Sequence, residues 1–227
     1  MNIKVSYLSN GLTIASDPMN ALETASVGVW VSAGARNESL ELNGISHLLE
    51  HMAFKGTDKR SARDIAQEVE TVGGYLNAYT TREQTAYFSR VLRDDIPLSI
   101  DILSDILQNS VFDNDELSRE KSVIFQEIGD ANDTPDDVVF DRFQEVAFPN
   151  QPLGRNILGS TSSVGQFDRN QLIDYMNNYY LAPNMVLVGA GSVDHQMLCD
   201  LAEKNFSDLD SSKNNLREPA VYVGGET

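Results

Sequence analysis

The chain has 227 residues, 41% of them hydrophobic and 22% charged, enough for one large domain or two small ones with a sizeable buried core. Its formal charge of −17 argues against nucleic acid as a partner, since phosphate binding needs a basic surface. No apolar run reaches the about 20 residues that cross a bilayer, and the first ten residues have one Lys and no long apolar core, so neither a membrane span nor a secretory signal is expected and the reading is cytoplasmic.

Residues 3–8 and 12–15 read as two strands joined by a tight hairpin at Asn10-Gly11. Residues 24–33 alternate Ala25, Val27, Val29, Val31 and Ala33 on one face, the pattern of a half-buried strand. Helical spacing takes over at 43–54. Ser61-Ala62-Arg63-Asp64 resembles a capping box and opens a second helix that Gly73-Gly74 stops. Strands are expected at 75–79 and 85–91, and helices at 96–107, 113–130 and 135–148. Residues 149–163 read as loop, then 168–180 as helix, 185–191 as strand and 194–206 as helix. Cys199, the single cysteine, excludes an internal disulfide framework and reads as a small buried residue on the last helix. The polar stretch 207–219 reads as a linker, and 220–223 as a strand beginning again, which suggests a cut from a longer protein. The grouping of strands and helices predicts an α+β layered fold.

Chemistry concentrates in His47-Leu48-Leu49-Glu50-His51. Histidines four apart on a helix project from one face, and Glu50 shares it. A catalytic zinc takes three protein ligands and keeps one position open, so a third ligand must come from elsewhere. The helix 113–130 offers Glu116, Glu120, Glu127 and Asp130. Glu120 and Glu127 are seven apart and share a face within about 20°. The competing reading is an ordinary solvated acidic face.

Three stretches carry a family resemblance. Gly44-Ile-Ser-His-Leu-Leu-Glu-His-Met-Ala-Phe-Lys-Gly-Thr57 resembles the metal helix of the pitrilysin/insulinase family of inverzincin zinc metallopeptidases. Gly73-Gly-Tyr-Leu-Asn-Ala-Tyr-Thr80 resembles its substrate strand, and Ser118-Arg-Glu-Lys-Ser-Val-Ile-Phe-Gln-Glu-Ile128 the helix that brings the third ligand. Within the family the likeness is to bacterial relatives of the mitochondrial processing peptidase catalytic subunit. The resemblance implies one Zn2+ held by His47, His51 and Glu127, Glu50 as general base, and Glu120 as an acid beside the metal. It implies substrate contacts at Asn77 and Ala78, an Arg-binding pair at Asp137 and Asp141, and Phe54 lining the pocket after the cut. It also implies an antiparallel sheet with helices on one side, forming the N-terminal half of a two-domain clamshell. The expected organisation is 1–206 as the zinc-binding domain, 207–219 as linker and 220–227 as the first strand of a second domain. The implied partners are a peptide substrate and a second homologous half, in the same longer chain or as a separate subunit. That half would supply an Arg and a Tyr to the substrate carbonyl. The implied activity is a zinc endopeptidase of extended peptides or unfolded segments. The alternative is a non-catalytic assembly or docking subunit on the same fold.

Overall fold

The computed structural model describes residues 2–212 and 219–224. In chain order the elements are β1 (Lys4–Tyr7), β2 (Thr13–Pro18), β3 (Thr24–Val31), α1 (Ile45–Ala53), α2 (Ala62–Thr71), β4 (Tyr75–Thr80), β5 (Thr85–Leu92), α3 (Ile96–Gln108), α4 (Asn114–Asp133), α5 (Pro135–Ala147), α6 (Thr161–Gln166), α7 (Arg169–Tyr179), β6 (Met185–Gly191) and α8 (His195–Phe206). The strands form one six-stranded sheet in the order β1-β2-β6-β3-β5-β4. All neighbours are antiparallel except β2 and β6, which run parallel. A parallel pair needs a crossover connection, and here β3 to β5 and α1 to α7 intervene between the two strands.

Alternation in β3 decides which face is covered. Ala25, Val27, Val29 and Val31 are buried, whereas Ser26 and Trp30 are half-exposed on the other face. The buried face meets Ile45, Leu48, Leu49 and Met52 of α1, Ile100, Leu103, Ile106 and Leu107 of α3, and Leu198, Ala202 and Phe206 of α8. At the far edge, β4 pairs with β5 alone among the described residues, and its other side is an open edge there.

Local chemistry accounts for several boundaries. Ser61 caps α2 and exchanges bonds with Asp64 in a capping box. The expected tight hairpin is present: the β1–β2 turn is three residues long, Leu8 N–H donates to Leu12 O at 2.9 Å, and Gly11 takes φ 96° in the left-handed region. Loop was expected through 163, but α6 begins at Thr161 behind a Ser160–Ser163 capping box. Six residues are too few for a hydrophobic period to show. Residues 220–223 are in no strand. The Val221 backbone exchanges hydrogen bonds with the Gln151 side chain, and Val223 N–H donates to Ala147 O at the end of α5. Most of the expected linker, 213–218, lies outside the described residues. Cys199 sits on α8, half-buried against the core.

Candidate metal centre

The metal-motif helix begins without a capping side chain of its own. Gly44 holds the N-cap position at φ 101°, and a Cβ there would stand 2.7 Å from the Leu158 carbonyl oxygen, so the position requires glycine. The open N–H groups are met from outside the helix. The Glu38 carboxylate accepts from Gly44 N (2.9 Å), Ser46 N (2.9 Å) and Asn43 Nδ2 (3.0 Å). A negative group at a helix start is favoured by the macrodipole, and a side-chain cap of this kind contributes about 1 kcal/mol. Burial pushes the Glu38 carboxyl up, and the donors around it only partly offset that rise.

With Ile45, Leu48, Leu49 and Met52 committed to the core, the opposite side of α1 turns His47, Glu50 and His51 towards α4 and β4. On α4 the inward stripe is Leu117, Glu120 and Ile124, all buried, with Glu127 next along it. That stripe is why Glu120 and Glu127 are not ordinary solvated residues. Glu116 instead pairs with Arg119, and Asp130 is exposed.

Both imidazoles aim at one carboxylate oxygen. His47 Nε2 and His51 Nε2 each lie 3.7 Å from Glu127 Oε2. Ligand atoms from the three residues all fall within 4.8 Å of one another. Ligands around a tetrahedral zinc with bonds of about 2.0–2.1 Å stand about 3.3–3.5 Å apart, so each histidine needs to approach Glu127 by only a few tenths of an ångström. The donor set suits zinc in its chemistry too. His51 Nδ1 hydrogen-bonds Glu120 Oε2 at 3.0 Å, which fixes the ring and leaves Nε2 to ligate. Burial, and then the neighbouring His51, hold His47 down to about 4, so it is the neutral imidazole that a metal requires. The residues present fit the metal.

Two neighbours complete the centre. Thr80 Oγ1, on the edge strand, donates to Glu50 Oε2 at 2.6 Å and anchors that carboxylate. Burial pushes Glu50 up, against the pull of Thr80. Lys55 Nζ lies 2.6 Å from Glu120 Oε1. Burial raises the Glu120 carboxyl, but Lys55 and His51 outweigh it and hold the group below its ordinary value.

The remaining sequence-derived residues spread more widely. Asn77 is exposed on β4, and its Oδ1 accepts from the Ala78 N–H at 2.9 Å, so that N–H points away from β5. Phe54 closes α1 and packs half-buried, its ring centroid 6.2 Å from that of Tyr87. Asp137 is exposed on α5, while Asp141 accepts from Arg82 Nη2 at 2.7 Å. Asp141 also lines a cleft of about 990 Å³ between α4, α5 and the loop before α6, and this cleft does not include the metal triad. Sequence reasoning missed Glu38, Thr80 and Arg82, whose contacts cross loops and carry no local signature. Lys55 lies just past the end of α1, so helical spacing did not single it out either.

An inverted His-x-x-Glu-His helix meeting a glutamate from a second helix, beside an open sheet edge, defines a metallopeptidase type of site. Comparison with known proteins agrees. The family model "Insulinase (Peptidase family M16)" matches residues 13–161, and "Peptidase M16 inactive domain" matches 166–226. The chain belongs to the insulinase peptidase family, M16. It is 48% identical to the mitochondrial-processing peptidase subunit beta of Lentinula edodes, over 98% of this chain and 49% of that protein. An uncharacterized zinc protease of Rickettsia felis is 39% identical over 100% of this chain and 55% of its own length. The chain thus spans about half the length of the curated relatives it matches. The crystal structure of a protease from Helicobacter pylori superposes with a TM-score of 0.89 at 24% identity, covering 97% of this chain and 54% of that one, which supports the fold.

Proposed function

We propose that this chain is the zinc-binding half of an endopeptidase that cuts extended peptides or unfolded segments. The observation that carries the reading is the convergence of His47 Nε2 and His51 Nε2 on one oxygen of Glu127, with Glu50 beside them and outside the triad. Zinc, when bound, supplies a Lewis acid that polarises a carbonyl and acidifies water. The chain's own residues do the rest. Glu50 Oε1 accepts a proton from the attacking water, while Thr80 pins Oε2. The free edge of β4 takes the peptide as an added strand, with the outward Ala78 N–H among the groups that pair with it once Asn77 yields. A docking subunit would need neither the convergent triad nor an anchored carboxylate beside it. A second homologous half, in the same longer chain or as a separate subunit, closes the cleft.

The reading is tested by metal content. The purified chain is expected to hold about one zinc, and His51→Ala to lose it, because two ligands remain where three are required. Equal zinc in wild type and His51→Ala by elemental analysis would remove the site assignment.

The proposal extends to substrate choice: Asp137 and Asp141 receive an Arg of the peptide before the cut, and Phe54 lines the pocket after it. Asp141 already holds a guanidinium, that of Arg82, which supports the chemistry and makes Arg82 a competitor for it. Asp137→Asn with Asp141→Asn is expected to raise KM about tenfold for Arg peptides and little for Ala peptides. Comparable losses on both peptide sets would assign the pair to the fold instead.

A further inference from the structure

We propose that Lys55 is a positioning residue for the metal centre: it fixes Glu120, and Glu120 fixes His51. The proposal rests on the zinc reading above. Lys55 follows the end of α1, where its N–H donates to the Met52 carbonyl at 3.1 Å. From there its Nζ takes Glu120 Oε1 at 2.6 Å, while His51 Nδ1 takes Oε2 at 3.0 Å. A single carboxylate on α4 is therefore held at both oxygens by two residues from one end of α1.

The charge balance explains why the lysine is needed. Glu120 is only 7% exposed, and a buried carboxylate is tolerated when it is paired and hydrogen-bonded. A ligating His51 is a neutral ring and brings a donor but no charge. Lys55 is the one lysine or arginine ion-paired with Glu120 among the described residues. Without it Glu120 loses its fixed partner at Oε1 and is free to turn towards water. His51 then loses the acceptor on Nδ1, and Nε2 loses its aim at Glu127, 3.7 Å away. Partners of this outer kind set the orientation and basicity of a ligating histidine, and their loss costs about 10–100-fold in metal affinity.

Competition with a chromophoric chelator measures zinc affinity in the wild-type chain, Lys55→Met, Lys55→Arg, Glu120→Gln and the double variant Lys55→Met with Glu120→Gln. Lys55→Met is expected to weaken zinc binding about 10–100-fold. Lys55→Arg should restore most of the loss, since one positive donor at Oε1 is all the geometry uses. On the Glu120→Gln background, Lys55→Met should add nothing, because a neutral amide needs no cation. Lys59→Met removes an exposed positive charge that pairs with Asp101 instead, and should bind zinc like wild type. Equal affinity of wild type and Lys55→Met overturns the proposal, and so does the same loss with and without the Glu120 carboxylate. A metal-free Lys55→Met chain that melts far below wild type, with Lys55→Arg no better, assigns Lys55 to the fold and also overturns it. Failure of the wild-type chain to bind zinc would instead sink the reading on which the proposal rests.

Discussion

Glu50→Gln is expected to lower kcat of the assembled enzyme by about 10²–10⁴-fold while leaving zinc content unchanged. The two effects separate because Glu50 is not one of the converging ligands. The triad is His47, His51 and Glu127. Glutamine preserves the shape of the side chain, and its carbonyl can still accept the Thr80 hydroxyl that now bonds Glu50 Oε2 at 2.6 Å. What changes is the second oxygen, which becomes an NH₂ group and cannot accept a proton from water. Burial raises the Glu50 carboxyl above its ordinary value in the metal-free chain, against the pull of Thr80. Paired measurements of turnover and of zinc by elemental analysis check the prediction. Near-normal turnover would remove Glu50 from the chemistry, and parallel loss of zinc would make it part of the metal cage.

Much of this centre was legible because it is local. His47, Glu50 and His51 lie on one helical turn, and their shared face follows from spacing alone. Glu120 and Glu127 follow from the seven-residue spacing on α4, although spacing could not say whether that face met water or α1. The stripe Leu117, Glu120 and Ile124 settles it, since the same period buries apolar residues on either side of Glu120. Strand β3 was readable by alternation, because one face is covered and the other is not. What was not legible depends on distant pairing. The parallel contact of β2 with β6 joins Ile14 to Leu187, and no local propensity encodes such a register. The Thr80 bond to Glu50 and the Arg82 bond to Asp141 arise only after β4 and its turn are laid beside α1 and α5. The segment 220–223 has strand-like composition, yet its backbone partners here are Gln151 and Ala147, which composition cannot specify.

The 227-residue chain alone is expected to bind zinc yet turn over peptide at least about 10²-fold more slowly than the chain supplied with a matching second half. The three residues of the candidate triad all come from α1 and α4, so zinc binding is expected to need nothing further. Catalysis asks for more. The side chain of Glu127 is 40% exposed, so the triad opens to water on one side. Water there raises the local dielectric and weakens every interaction that would stabilise developing charge on the scissile carbonyl oxygen. The family resemblance implies that an Arg and a Tyr of a second half would bind that oxygen, and the chain spans about half the length of its relatives. Loss of one such donor costs about 10²–10³ in kcat, and loss of two with an unshielded cleft costs more. A peptide on the β4 edge alone is also held less rigidly, so less of the orientation the reaction needs is set before attack. Turnover of an extended peptide, measured for the isolated chain and again after a separately purified second half is added, checks the prediction. Full specific activity from the monomeric chain would show that residues 1–227 carry their own carbonyl-binding groups. Zinc binding with rescue by the added half would place those groups across the cleft.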